Sequence, residues 1–203
     1  MIFFANTFKE KKFYKLLSDK KNVIFDFGCG VGIWNKSNLN KKIKKIFLYD
    51  KNEKAILEAK KKYKRNKKIF FIKKKNFFNN KIFFKKNKID IILINSVIQY
   101  IAKTELKKIL TMLDKNNLNS RYKIIITDIP IHNRIIEIFL LLFFDFNRFL
   151  DALKLLINFS YHKTLFYHNS IDMIFLEKIF NVKEYQNLNK FKFRKTLILT
   201  KKN

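Results

Sequence analysis

The chain has 203 residues, nearly half of them hydrophobic and 24 of them phenylalanine, so it fits one domain with a sizeable core and excludes disorder. Its formal charge of +29 first suggests a polyanionic partner, yet 40 of the 45 basic residues are lysine and only five are arginine, the better fork for phosphates and base edges. The excess extends to Asn, Ile and Phe, whose codons, like those of Lys, are rich in A and T. Compositional bias therefore explains the charge, with nucleic acid or an anionic membrane surface as the less favoured reading.

Residues 1–21 read as an N-terminal helix, and the opening MIFFANTFKEKK lacks the pattern of a signal peptide. VIFDF (23–27) is a continuous apolar run of the kind buried on both faces of a sheet, and KIFLYD (45–50), KIFFI (68–72), IDIILIN (89–95) and YKIIITD (122–128) look alike. Asn52 is expected to cap a helix bearing Ile56, Ala59 and Tyr63, and Thr104 another bearing Leu106, Ile109, Leu110 and Leu113. Pro130, the chain's one proline, is expected to stop the fifth strand. Residues 131–169 read as a helical insertion. Its apolar stretch 135–150 is broken by Glu137, Asp145 and Arg148 and falls short of the roughly 20 apolar residues of a spanning helix. A helix over 170–180 then leads into FNVKEYQNL and KFRKTLILTK, which the short turn between them makes antiparallel. Strands alternating with helices predict a doubly wound, mostly parallel α/β sheet in a single domain, with a core over 22–130 and a closing helix and hairpin over 170–203.

The chain's three glycines, Gly28, Gly30 and Gly32, alternate in FDFGCGVGIW directly after the first strand. Such concentration points to a backbone need, positive φ or close approach of a ligand, and marks a binding loop. A dinucleotide fingerprint would carry a third glycine where Ile33 stands, and no G-x-x-x-x-G-K-[ST] loop is present. The pattern is D-x-G-x-G-x-G, headed by Asp26. A carboxylate aimed at this loop would repel a pyrophosphate and suits a ligand carrying an ammonium and a sulfonium, which favours S-adenosylmethionine. Cys29 is the lone cysteine, so a disulfide framework and a cysteine metal site are excluded and a reducing, cytoplasmic compartment is expected.

With this loop and the segments that follow it, the sequence resembles the class I S-adenosylmethionine-dependent methyltransferases over residues 22–130, and more loosely over 170–200. The resemblance implies a seven-stranded Rossmann-like sheet with an antiparallel last strand. It implies that Asp26, Phe27, Gly28, Cys29, Gly30 and Gly32 border the cofactor. Asp50, followed by Lys51, would accept both ribose hydroxyls, as a carboxylate with two acceptor oxygens can. Asn76 stands where the family often has an Asp at the adenine amino group, and Phe77 would lie against the ring. Asn95 and Ser96 open INSVIQYI, similar to the family segment that passes the transferable methyl group; it is not the [ND]-P-P-[YF] segment used on planar amines. Tyr100 is a candidate to face the sulfonium. Asp128 and His132 come at the carboxyl end of the sheet, with His132 the candidate general base. His162 and His168 lack ligand company, so no metal is expected. The expected reaction is methyl transfer to a hydroxyl or amine of a small-molecule or glycan acceptor; an RNA methyltransferase and a non-catalytic binding module are the alternatives.

Overall fold

The computed structural model describes residues 16–17, 22–34, 39, 43–72, 81–116, 119, 121–130, 171–185 and 194–202. The insertion 131–169, nearly all of the N-terminal helix, and the candidates Asn76, Phe77, His132, His162 and His168 lie outside the described residues.

Apolar runs become strands where predicted: β1 (Asn22–Phe27), β2 (Ile43–Tyr49), β3 (Ile69–Phe71), β4 (Ile91–Asn95) and β5 (Lys123–Pro130) are parallel and ordered β3-β2-β1-β4-β5. The closing strands β6 (Phe180–Tyr185) and β7 (Arg194–Lys201) pair antiparallel with each other, and β7 pairs antiparallel with β5, completing a seven-stranded sheet. β5 runs through to Pro130, two residues past Asp128, so the proline is the strand's last rung.

Three described helices return the chain between parallel strands, α1 (Glu53–Tyr63), α2 (Lys81–Asn87) and α3 (Lys103–Asn116), and α4 (Met173–Ile179) leads into β6. Asn52 caps α1 as expected, its side chain accepting from the Lys54 and Ala55 amides at 3.1 and 3.4 Å. Thr104 does not cap α3. The Leu106 amide already bonds to the Ala102 carbonyl at 2.9 Å, which places the helix start ahead of Thr104 and puts that residue inside the first turn. The predicted apolar stripe of α3, Leu106, Ile109, Leu110 and Leu113, is buried.

Side-chain alternation along the strands sorts the core into two layers. Val23, Phe25 and Phe27 face one side, with Phe47, Ile92, Ile94 and Ile124, and meet α2, α3 and α4 through Phe84, Leu110 and Leu176. Ile24 faces the other, with Ile46, Leu48, Ile91 and Leu93, and meets α1 through Ala59 and Tyr63 beside Trp34 and Leu17. By the same period of two, Asp26 belongs to this second layer.

Candidate cofactor site

Consecutive strands run outward from β1 through β2 to β3, and then from β4 to β5 on the other side. The order thus reverses between β1 and β4, and ligands of open α/β sheets bind at such a switch point beyond the carboxyl ends of the strands. The glycine loop leaves β1 here. All three glycines have positive φ, +73° at Gly28, +55° at Gly30 and +81° at Gly32. Two of them are also demanded by the chain's own packing. A Cβ on Gly28 would lie 2.4 Å from a methyl of Val97, and one on Gly32 would lie 2.6 Å from the ring and hydroxyl of Tyr63.

From this crowding we expect Gly28→Ala to destabilise by about 2–4 kcal/mol, combining the left-handed backbone with overpacking. Adding Val97→Ala should recover part of that loss in a denaturant double-mutant cycle. Strictly additive effects would show that Val97 does not crowd Gly28.

The loop's amide hydrogens are largely spent within the chain. Gly28 and Cys29 donate to the Tyr49 carbonyl at 2.7 and 3.0 Å, Gly32 donates to the Cys29 carbonyl at 2.8 Å, and Gly30 donates to a carboxylate oxygen of Asp50 at 2.8 Å. Phosphate loops work by turning such amides towards the ligand. Lys62, on α1, adds a bond from its ammonium to the Gly32 carbonyl at 2.6 Å; its burial lowers the ammonium pKa.

Asp50 follows β2 and is only half-buried. Its other oxygen accepts the Asn52 amide at 2.8 Å, so two backbone donors aim the carboxylate, and a carboxylate's remaining lone pairs suffice for a vicinal diol. Lys51 beside it is exposed.

Asp26 is placed differently from its sequence-based expectation. It is 2% exposed and turned into the α1 layer, where it accepts the Trp34 indole N–H at 2.8 Å. Strand parity is the cause: the position after Phe25 must face the side opposite Phe25. Phe27 is a core residue stacked on Tyr49 at 5.3 Å between centroids, and Cys29 is buried with its thiol on the Gly30 carbonyl at 3.4 Å. Burial pushes that thiol pKa up and keeps it protonated.

Across the switch point, Asn95 and Ser96 end β4 and Asp128 lies in β5. Ser96 and Asp128 both hold left-handed backbone, φ +55° and +60°, and the Ser96 hydroxyl donates to the Asp128 carboxylate at 2.6 Å. Asp128 is 2% exposed, and the pairing of β5 with β7 shifts register between Ile126 and Ile129, so a bulge aims it. Asn95 receives the Thr127 hydroxyl at 2.9 Å and the Ser96 hydroxyl at 3.2 Å. Tyr100 sits in a short 3-10 turn, Ile98–Tyr100, and is 37% exposed. That turn borders a small cleft of about 10 Å³, room for about one water, lined by Ile101, Leu106, Leu110, Phe175 and Leu176, with Lys103 and Lys107 pairing Asp172 beside it. Trp34, Val97 and Tyr63, the last expected only as part of a helix's apolar stripe, shape the loop; only their proximity in the fold reveals it.

The profile of the methyltransferase small domain family matches residues 7–117, more than half of the chain. The chain belongs to this family. It is a class I S-adenosylmethionine-dependent methyltransferase, and its cofactor is S-adenosylmethionine. No curated protein sequence matches the methyltransferase closely enough to count as a relative. Solved structures share its fold at low identity. The pyocyanin biosynthetic protein PhzM is 11% identical with a TM-score of 0.59, covering 94% of this chain, which spans about half (54%) of that protein. Magnesium protoporphyrin IX methyltransferase (ChlM) from Synechocystis PCC 6803, solved with bound SAH, is 14% identical with a TM-score of 0.61, covering 95% of this chain and 81% of its own. The methyltransferase domain of bacterial CtHen1-C is 13% identical with a TM-score of 0.59, covering 98% and 100%.

The site suits that cofactor on its own chemistry. A carboxylate held by the Gly30 and Asn52 amides stands beside the glycine loop, and the loop withholds its amides from phosphate. Among the described residues no cluster of His, Cys, Asp and Glu could hold a metal ion, and no helix is long and apolar enough to cross a membrane.

Proposed function

We propose that the methyltransferase acts on a hydroxyl or amine of a small-molecule or glycan acceptor, with Asp50 anchoring the ribose of S-adenosylmethionine. The observation that carries the cofactor pose is the Asp50 carboxylate, held between the Gly30 and Asn52 amides at the end of β2. When bound, S-adenosylmethionine supplies a methyl group already activated by its sulfonium. The protein's work is then proximity and orientation, which is why no catalytic triad is needed.

In this reading Gly28, Cys29, Gly30 and Gly32 form the wall of the cofactor crevice, and Asp26 and Phe27 act behind it by fixing Trp34 and Tyr49. Lys51 flanks Asp50, and Asn76 and Phe77 are assigned to the adenine. Asn95 and Ser96 pass the methyl group, and Tyr100 offers a ring face to the sulfonium. Asp128 sets the angle of Ser96 through their 2.6 Å bond, and His132, two residues beyond β5 in sequence, takes the acceptor's proton. The segment after β4 is INSVIQYI and not [ND]-P-P-[YF], which weighs against N6-adenine chemistry on nucleic acid.

Calorimetry tests the cofactor pose. S-adenosylmethionine and S-adenosylhomocysteine should bind, and NADH far more weakly. Tight NADH binding with no response to S-adenosylhomocysteine would overturn it.

A further inference from the structure

The two ends of the sheet differ in charge. At the carboxyl end, described lysines such as Lys51, Lys54 and Lys103 are interleaved with Asp50, Glu53, Glu105 and Asp172. At the amino end near the β3 edge the balance is lost. β2 begins with the exposed pair Lys44 and Lys45, and α1, running opposite to the strands, carries the exposed Lys60 and Lys61 in its last turn. The turn into β3 then adds Lys64, Arg65 and Lys67, all exposed. From Ala59 to Ile72 the sequence holds no acidic residue, and none lies in β2. Among the described residues none of these cations pairs with a carboxylate.

Compositional bias towards lysine would scatter charge over every exposed surface, carboxyl end included, and does not explain this corner. Favourable placement of lysines at helix C-termini accounts for Lys60 and Lys61 but not for Lys44, Lys45 and Lys67, which lie at strand starts and in a turn. An aromatic ring stands at the same sheet edge, on the face opposite α1. Phe70, on the edge strand β3, is 41% exposed, with the Lys45 ammonium 5.6 Å from its ring centroid, and Lys60 sits 5.9 Å from the ring of Phe71.

We propose that this corner, at the β3 edge of the sheet, is a docking site for single-stranded nucleic acid. Lysine ammoniums meet phosphates as point charges without reading bases, and an exposed ring flanked by cations gives a base a surface to stack on. A bilayer fits less well: α1 meets the corner end-on through its C-terminus, whereas a membrane-surface helix lies flat on an apolar flank, and Phe70 is the corner's one large exposed apolar side chain among the described residues. β2 has seven residues, and at about 3.3 Å each its Lys44 and Lys45 lie roughly 20 Å from the Asp50 end, whereas the α1 end approaches the glycine loop through Lys62 and Tyr63. This inference is independent of the acceptor proposed above.

The test compares the full chain with two triple variants, Lys61→Gln/Lys64→Gln/Lys67→Gln in the corner and Lys54→Gln/Lys108→Gln/Lys183→Gln elsewhere. Fluorescence anisotropy would follow a 20-nucleotide oligouridylate and a matching oligothymidylate across a salt series, with phosphatidylserine vesicles as a third probe. S-adenosylhomocysteine affinity should be the same in all three proteins and reports that each is folded. The corner triple should lower the slope of log affinity against log salt by about 2, at about 0.7 per lost phosphate contact, while the control triple leaves it near the wild-type value. Phe70→Ala should weaken binding roughly tenfold without changing the slope. Tighter binding of one oligonucleotide identifies RNA or DNA as the source. Equal losses in both triples, no loss in the corner triple, or corner-dependent binding of vesicles in place of oligonucleotides would each overturn the proposal.

Discussion

Asp50→Ala is expected to weaken S-adenosylhomocysteine binding at least tenfold. A hydrogen bond to a charged acceptor contributes about 1.5–3 kcal/mol, and tenfold in affinity corresponds to about 1.4 kcal/mol, so losing even one ribose bond suffices. The same substitution should lower the melting temperature modestly, because the Gly30 and Asn52 amides both lose their acceptor. Asp50→Asn should do less harm on both counts, since its amide keeps one acceptor oxygen. A purely structural role, as a charge ahead of α1, predicts a stability loss of at most about 1 kcal/mol with affinity intact. Calorimetry and thermal unfolding of the two variants separate these outcomes, and a lower melting temperature with unaltered affinity removes Asp50 from the ribose.

Asp26→Asn is expected to change how stability depends on pH. Burial pushes the Asp26 carboxyl up to about 7; the Trp34 hydrogen bond opposes this and the charge of Asp50 adds to it. Unfolded, the same group titrates near 3.9. Between about pH 4 and 7 the folded chain thus holds a proton that the unfolded chain has released. The raised pKa contributes stability that is fully present below about pH 4 and is lost as pH rises through about 7. A gap of about three pKa units corresponds to roughly 4 kcal/mol. Asparagine still accepts the Trp34 indole N–H but carries no charge to desolvate. The variant should therefore match the wild type near pH 4 and exceed it by a few kcal/mol at pH 8, measured by urea unfolding. Because every other carboxylate is common to both proteins, the difference isolates position 26. Parallel curves across that range would show that Asp26 does not titrate in its buried setting.

Much of the fold is legible in the sequence because the signal is local. Continuous runs such as IILIN and KIIIT can be buried on both faces only inside a parallel sheet, and Asn52 ahead of Ala55, Ala59 and Tyr63 marks a helix start and its inner face. α2 escaped the sequence reading. It is seven residues long and its apolar side chains Phe83 and Phe84 are adjacent, so KIFFKKN has no period to detect even with Asn80 ahead of it. Thr104 looked like a cap by residue type, yet the backbone bond from Leu106 to Ala102 starts α3 two residues earlier than such a cap would.

A glycine loop after the first strand, Asp50 directly after the second, and a doubly wound sheet closed by a hairpin are all legible in the sequence. These are properties of single segments, written in their periodicity and in the backbone freedom of glycine. Only the tertiary structure decided why Gly28 and Gly32 tolerate no side chain, since Val97 and Tyr63 reach them from distant elements. It turned Asp26 inward to Trp34, and it joined Ser96 to Asp128 across 32 residues in two left-handed backbones that composition does not mark. The physical reason is that period and propensity act along the chain, whereas these contacts depend on which strands become neighbours. That order is set by how the whole sheet buries both of its faces at once.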